Sequence, residues 1–164
     1  MNDITIHAVT EKDLDIIARV KELFTAMYHE YAGMGLSITL PGNSAALWMN
    51  SVLPALNRMN MLYVALVEGE VAGFIFGYFN FTRDYLGATK TGVISETYVV
   101  PHLRSKGVGR ILLGAMEKWF IEKGIATVEL QTLYRNEKAV AFWEKAGYTK
   151  ESIHFRKLSL THGN

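Results

Sequence analysis

The stretch that decides the fold is Val99-Val-Pro-His-Leu-Arg-Ser-Lys-Gly-Val-Gly-Arg110. It joins a predicted strand, which stops at Pro101, to a predicted helix that begins at Gly107. A helix N-terminus offers backbone N–H groups without internal partners and the positive end of a dipole. Glycines let that backbone approach an anion, and the basic side chains of the stretch add positive charge. The stretch therefore predicts a binding site for a phosphate-bearing ligand.

Two well-known phosphate motifs do not match this stretch. The P-loop motif requires Gly-Lys-Ser/Thr, which does not occur here. The dinucleotide-binding motif G-x-G-x-x-G fails at its third glycine, where Leu112 stands. A dinucleotide-binding enzyme is therefore the weaker interpretation.

Outward from this stretch, hydrophobic periodicity predicts alternating helices and strands. Helices are predicted at 11–31, after Ser44 as far as Pro54, at 107–123 and at 138–146. Strands are predicted at 4–8, 61–67, 71–81, 93–100, 127–133 and 153–160, with residues 82–91 as a loop. This order indicates a mixed α/β sheet with helices on both faces. No interdomain linker is visible, so residues 1–164 are predicted to form one domain.

Two blocks of sequence resemble the GNAT superfamily of N-acetyltransferases. Arg104-x-x-Gly107-x-Gly109 is similar to the R/Q-x-x-G-x-G/A acetyl-CoA motif of that family. The segment from Asn136 to Tyr148 is similar to the family's N-x-x-A-x-x-[FY]-Y-x-x-x-G-[FY] block, one strand further on. The resemblance implies a central sheet of about six to seven strands, splayed between the fourth strand (93–100) and the fifth (127–133).

The resemblance also implies acetyl-CoA as cosubstrate, held in that opening. The backbone of Tyr98 to Val100 would pair with the pantetheine amides, and the amides of Arg104 to Arg110 would hold the pyrophosphate. The residues expected to bind acetyl-CoA are Val99, Val100, Arg104, Ser105, Lys106, Gly107, Val108, Gly109, Arg110, Asn136 and Trp143.

Glu96 and Tyr98 are the candidate catalytic residues. An alkylamine is neutral in only about one molecule in 2,500 at pH 7, so a base helps acetyl transfer. Ile94, Glu96, Tyr98 and Val100 are expected on one face of their strand, where Glu96 is the only carboxylate. Glu96 is predicted to be the base or to hold a water that acts as one. The alternative is that it pairs with a basic side chain or only orders a loop.

Trp143 departs from the family pattern. Many members carry a tyrosine there that protonates the leaving thiolate, whereas an indole N–H cannot supply a proton near neutral pH. Release of a thiolate at pH 7 costs only about 2 kcal/mol, so the change should slow the reaction without abolishing it. Tyr98, Tyr134 and Tyr148 are the candidate substitutes. The departure also leaves open a catalytically weak or inactive acyl-CoA-binding module.

The acceptor is predicted to be an amine, either on a small molecule or on a peptide. In the family the first two helices and the loop after the third strand shape its pocket, and here they offer Tyr28, His29, Glu30, Tyr31, Asp84 and Tyr85. Of these, Tyr28, Glu30 and Tyr31 are the candidate substrate residues. Aromatic rings with a few carboxylates suit a cationic amine. The alternative is that Tyr31 belongs to the core and that Glu30 is a solvated helix residue.

Composition excludes several other classes. The chain has no cysteine and five histidines without metal-ligand spacing, so disulfides, thiolate sites and a bound metal are not expected. A net charge of +1 gives no general attraction to nucleic acid. Without a signal peptide or a long apolar stretch, a cytoplasmic protein that does not bind membranes is expected. Relatives with this fold often pair, which allows a homodimer.

Overall fold

The computed structural model describes residues 3–159 and contains every helix that the sequence predicted. The helices are α1 (Leu14–Gly33), α2 (Ser44–Val52), α3 (Val108–Glu122) and α4 (Glu137–Lys145). The strands are β1 (Ile4–Ala8), β2 (Asn60–Val67), β3 (Glu70–Phe81), β4 (Lys90–Val99) and β5 (Thr127–Leu130). Short 3-10 helices lie at Leu53–Ala55, Asp84–Leu86 and Pro101–Leu103.

The strands form one mixed sheet in the order β1-β2-β3-β4-β5. Neighbours from β1 to β4 are antiparallel, whereas β4 and β5 are parallel. One face carries α1 and α2, whose buried side chains include Phe24 and Met49. The other face carries α3 and α4, with Leu112 and Trp143 among the buried side chains. The predicted arrangement of helices on both faces is therefore confirmed.

Helix α3 packs against the middle of the sheet because the strands present small residues to it. A Cβ atom added at Gly92 of β4 would lie 2.9 Å from the ring of Phe120, closer than real carbon contacts come. The absence of a side chain at Gly92 thus lets α3 approach the strand that leads into the motif stretch. This close packing holds the C-terminal part of α3 against the first half of β4.

Strand β4 changes face at Ser95. Phe76 of β3 lies opposite Glu96, while the next residue, Gly77, lies opposite Ile94, so Ser95 is an extra residue in β4, a β-bulge. Ile94 consequently packs in the core on the α3–α4 face, whereas Glu96 lies beside Phe76 on the α1–α2 face. The prediction that Ile94 and Glu96 share a face is wrong, because the two-residue period of a strand does not continue through a bulge.

The sheet has five strands in the described residues, fewer than the six to seven expected. The predicted strand at 153–160 is wrong where it can be assessed, because residues 153–158 have no regular structure; Leu160 lies outside the described residues. Ile153 and Phe155 alternate with polar residues, but their side chains are 81% and 88% exposed. No apolar layer of the described residues covers them, so the alternation does not produce a strand. β5 also ends at Leu130, before the predicted residue 133.

Candidate active site

An opening in the sheet lies beside the second half of β4. Residues Thr91–Ile94 pair with β5, but within residues 3–159 the segment Ser95–Val99 has no partner on that side. The bulge at Ser95 lies where the pairing ends, and bulges bend and twist a strand. The splay between the fourth and fifth strands is therefore present, and its physical cause is the bulge.

The turn between β4 and α3 has free backbone donors, and it lies at the end of β4 that borders the opening. Gly107 precedes α3 with φ of 90°, a left-handed conformation, and a Cβ atom there would have no neighbour within 4 Å. The amides of residues 105–110 donate to no acceptor in the described part of the chain, as expected for the first turn of a helix. Lys106 and Arg110 are exposed beside them. These residues fit a pyrophosphate.

Arg104 does not direct its side chain toward that turn. Its Nη2 atom lies 2.9 Å from both carboxylate oxygens of Glu30 in α1, and its Nε donates to the carbonyl of Val99 at 2.9 Å. The guanidinium also lies over the ring of Tyr98, 5.1 Å from the ring centre. The motif arginine therefore joins α1 to the end of β4. Its backbone amide donates to the carbonyl of Pro101 at 3.3 Å, so it is not one of the free donors of the turn.

Glu96 is a buried carboxylate next to the opening. It is 8% exposed, and its Oε2 atom has no hydrogen-bond partner in the described residues. Burial raises the pKa of Glu96 to about 7, because a low-dielectric environment disfavours the charged form. Hydrogen bonds from the side chains of Ser95 and Trp48 lower it by less. A carboxyl group with this pKa can exchange a proton near neutral pH.

Aromatic side chains of α1 and α2 surround Glu96. Burial, followed by the nearby charge of Glu96, raises the pKa of Tyr28. Tyr31 has a pKa of about 12 for the same reasons, with Tyr28 and Glu30 contributing. Trp48 lies edge-on to Phe76, the residue opposite Glu96 in the sheet, with ring centres 5.6 Å apart. The structure thus brings Tyr28 and Tyr31 to the same face of the sheet as Glu96.

Glu30 and Tyr98 are joined to each other. The Tyr98 hydroxyl donates to Glu30 Oε1 at 2.7 Å. Burial and this bond raise the pKa of Tyr98 to about 12. Burial opposes ionisation of Glu30, but the hydrogen bonds from Arg104 and Tyr98 outweigh it and hold the pKa of Glu30 below its usual value. Glu30 is therefore ionised and already paired with a cation.

The second sequence block builds α4. Asn136 caps this helix, since its Oδ1 accepts from the amide of Ala139 at 3.2 Å. Trp143 is 9% exposed and packs in the core, edge-on to Tyr148 with ring centres 5.3 Å apart. The Tyr148 hydroxyl donates to Glu117, and its pKa is raised by burial and by this carboxylate. The roles of Asn136 and Trp143 toward acetyl-CoA remain predictions.

Sequence reasoning missed Trp48 and Phe76 as residues of the site. Neither belongs to a motif, and they come from α2 and β3. A signal was available nonetheless: residues 31–57 contain no Asp, Glu, Lys, Arg or His in a chain that is 20% charged. Such a stretch over a predicted helix indicates a surface that faces something other than bulk water.

Two kinds of feature are absent from residues 3–159. No group of three or more His, Asp or Glu side chains in this range has the arrangement of a metal site. No helix in the same range is long and apolar enough to cross a membrane.

The solved structures with similar folds include acetyltransferases, which defines the class of fold. The aminoglycoside N-acetyltransferase AAC(6')-Iy, in complex with CoA, superposes with a TM-score of 0.75 at 16% identity over 97% of both chains. An aminoglycoside acetyltransferase, meta-AAC0020, from an uncultured soil metagenomic sample gives 0.72 at 20% identity, covering 95% of this chain and 96% of its own. At these identities the likeness is one of fold.

Family membership follows from sequence. The chain belongs to the acetyltransferase (GNAT) family, whose family model matches residues 25–148. It is 30% identical over 101 residues to an uncharacterized N-acetyltransferase of Bacillus subtilis (strain 168), YhfO. That match covers 60% of this chain and 66% of the relative, slightly under two thirds of the relative's length.

Proposed function

We propose that this protein is an N-acetyltransferase that moves an acetyl group from acetyl-CoA to a primary amine by direct attack in a ternary complex. The observation that carries the proposal is the Oε2 atom of Glu96, a buried carboxylate oxygen located where β4 leaves β5. This oxygen has no hydrogen-bond partner within residues 3–159. Membership of the GNAT family supports acetyl transfer in general. The CoA complex of a protein with the same fold supports the use of an acyl-CoA.

Acetyl-CoA would supply an activated thioester carbonyl. The amides of Ser105 to Arg110 would hold its pyrophosphate, because they lack acceptors and adjoin two exposed cations. The β4 backbone beyond the bulge would hold the pantetheine arm. There the Val100 amide already donates to Ala72, and the Val99 carbonyl, which accepts from Arg104, keeps a second lone pair for a further donor.

Glu96 would act as the base, directly or through water. The amine nitrogen lone pair forms the new C–N bond at the thioester carbon, the C–S bond breaks, and the sulfur leaves with that electron pair. The proton lost by nitrogen passes to Glu96, whose pKa of about 7 allows both its uptake and its release. The departing sulfur takes a proton from solvent or from an acid and becomes the free thiol of CoA.

We assign Tyr98 a positioning role rather than that of the acid. Its proton is donated to Glu30, and a pKa of about 12 makes it a poor proton donor to a thiolate whose conjugate acid has a pKa of about 8.5. With Trp143 buried, the acid position offers no ionisable group of its own. Release of the thiolate without an enzymatic acid costs about 2 kcal/mol at pH 7, small beside typical enzymatic accelerations of about 8 kcal/mol or more.

The test is the rate of thiol release from acetyl-CoA with a panel of primary amines. Since the chain has no cysteine, a thiol reagent sees only the CoA product. Glu96→Gln keeps the size of the side chain and should lower kcat by about 100-fold, as expected for loss of a general base. Glu70→Gln, the same change at an exposed position at the start of β3, should leave kcat unchanged.

A Glu96→Gln variant with near-normal turnover across pH would overturn the role of Glu96. Binding of acetyl-CoA without thiol release for any amine would instead support the second candidate, a non-catalytic acyl-CoA-binding module. The specific observation that favours this candidate is the buried Trp143 where many family members carry a tyrosine acid.

A further inference from the structure

A wall of aromatic side chains lies beside Glu96 on the α1–α2 face. This aromatic wall consists of Tyr28 and Tyr31 of α1, Trp48 of α2, and Phe76 and Tyr78 of β3. Contacting rings within the α1 pair and within the α2–β3 group have centres 5.6 to 6.2 Å apart. The buried ring of Phe24 joins the two groups, 4.8 Å from Tyr28 and 4.5 Å from Trp48. All members of the wall but Phe76 are partly exposed, so the wall reaches solvent. Ring faces of this kind attract one cation and bury an apolar body.

The charges of this face are few. In the part of the chain that the structure describes, one carboxylate oxygen of Glu96 has no partner, whereas the carboxylate of Glu30 is paired with Arg104 through contacts of 2.9 Å. The elements that complete the face add no charge, because residues 31–57 and 71–82 contain no Asp, Glu, Lys, Arg or His. Among the described residues, the site therefore offers one carboxylate with a free oxygen, next to an uncharged, aromatic surface.

We infer that the acceptor is a monoamine with an apolar or aromatic body, and that polycationic amines are selected against. The inference rests on the proposed function, since it names the substrate class of the same site. One ammonium group is matched by Glu96 and the rings. A second ammonium on the same molecule would lie against the uncharged surface and lose its hydration without a partner, which is unfavourable.

Arg104 sets this selectivity from outside the wall. By neutralising Glu30, it removes a carboxylate that could hold a second ammonium group at the edge of the site. It acts through Glu30, so it is a positioning residue for acceptor choice. Replacing Arg104 by an uncharged residue should therefore shift the preference toward diamines.

The experiment compares hexylamine with 1,6-diaminohexane, which match in length and differ by one ammonium group. With saturating acetyl-CoA, kcat/KM for hexylamine should exceed that for 1,6-diaminohexane by about tenfold or more, given the cost of an unpaired charge. 2-Phenylethylamine should resemble hexylamine, while spermidine and kanamycin should resemble the diamine. Equal or better use of the diamine, spermidine or kanamycin would overturn the inference.

Titration calorimetry of the two amines against the protein saturated with CoA separates this inference from the proposed function. Tighter binding of hexylamine without any turnover would uphold the acceptor class and defeat the transfer proposal. Tighter binding of 1,6-diaminohexane, or binding of neither amine, would defeat the acceptor class whatever the turnover.

Arg104→Gln tests the source of the selectivity. The ratio of diamine to monoamine kcat/KM should rise about fivefold, because Glu30 is released from its ion pair. Arg110→Gln removes a charge from the same turn but leaves Glu30 paired, so its ratio should stay that of the unaltered protein. Using a ratio within each variant cancels any common effect on acetyl-CoA. Equal ratios in both variants would show that the Glu30–Arg104 pair has no part in acceptor choice.

Discussion

The two faces of the sheet are built in different ways. The α3–α4 face carries both sequence motifs, and its candidate binding groups are backbone amides of consecutive residues at the start of α3. The α1–α2 face carries no motif, and its site is assembled from side chains of α1, α2, β3 and β4. The difference teaches that a candidate cofactor site made of local backbone is marked by a motif in the sequence, whereas a candidate acceptor site made of distant side chains is not.

The largest expected effect is the loss of acetyl-CoA binding at the start of α3. Gly107→Glu/Gly109→Glu should abolish acetyl-CoA binding, with a loss of about 1,000-fold or more, because two carboxylates face the expected pyrophosphate. Glutamate at Gly107 must also adopt a left-handed backbone, and a Cβ at Gly109 would lie 3.5 Å from Phe142. Titration calorimetry with acetyl-CoA, and with NAD in parallel, measures this.

Gly114→Glu supplies the control for that double variant. It introduces the same residue into the same helix, at an exposed position where a Cβ would have no neighbour within 4 Å. Its acetyl-CoA affinity should be unchanged. NAD binding, or acetyl-CoA binding that survives in the double variant, would contradict the assignment of this turn.

The second effect concerns the stability that the protein loses by burying Glu96. Its pKa of about 7 in the folded protein lies above its usual value, so the folded state binds its proton more tightly and stability falls as pH rises from about 4.5 through 7. Glu96→Gln removes this penalty. Its free energy of unfolding at pH 8 should exceed that of the unaltered protein by on the order of 3 kcal/mol at most.

Denaturant unfolding at pH 4.5 and pH 8 makes this measurement. The difference between the two proteins should be small at pH 4.5, where Glu96 is protonated in the folded state, and should grow with pH. A Gln variant that is equally destabilised at both pH values would mean that burial does not raise the pKa of Glu96 in the folded protein.

The third effect is kinetic. Below pH 7 the protonated Glu96 cannot accept a proton, so kcat/KM should fall about tenfold per pH unit from this group, in addition to the fall caused by protonation of the amine. In Glu96→Gln only the dependence due to the amine should remain. A bend near pH 7 that persists in the Gln variant would assign it to another group.

The smallest effect is expected at Trp143. Because its buried indole cannot supply a proton, Trp143→Phe should change kcat by less than about tenfold, although loss of buried ring area should lower the unfolding midpoint. Thiol release and thermal unfolding of the same sample distinguish the two consequences. A thousand-fold loss of kcat in a folded variant would give the indole a direct role in the reaction. The α3–α4 face would then contribute a side chain to catalysis as well as backbone amides.

Much of the fold could be predicted from periodicity and turn residues. Four helices and five strands lie where the patterns predicted them, within a few residues at each end. Over its described residues, the strand predicted at 153–160 is wrong. Alternation of apolar and polar residues suits a strand, but a strand also needs a neighbouring strand to pair with and a layer to cover its apolar side. The strand count was overestimated accordingly.

By itself, the sequence determined most of the elements, the family and the glycine-containing turn before α3, because these depend on neighbours within a few residues. Only the tertiary structure decided which way Glu96 faces, because one extra residue, Ser95, moves it to the face opposite Ile94. The tertiary structure also decided the partner of Arg104, since Glu30 is 74 residues away along the chain. Long-range contacts of this kind leave no local pattern in the sequence. They nevertheless bury Glu96, which raises its pKa, and they assemble the aromatic wall beside it.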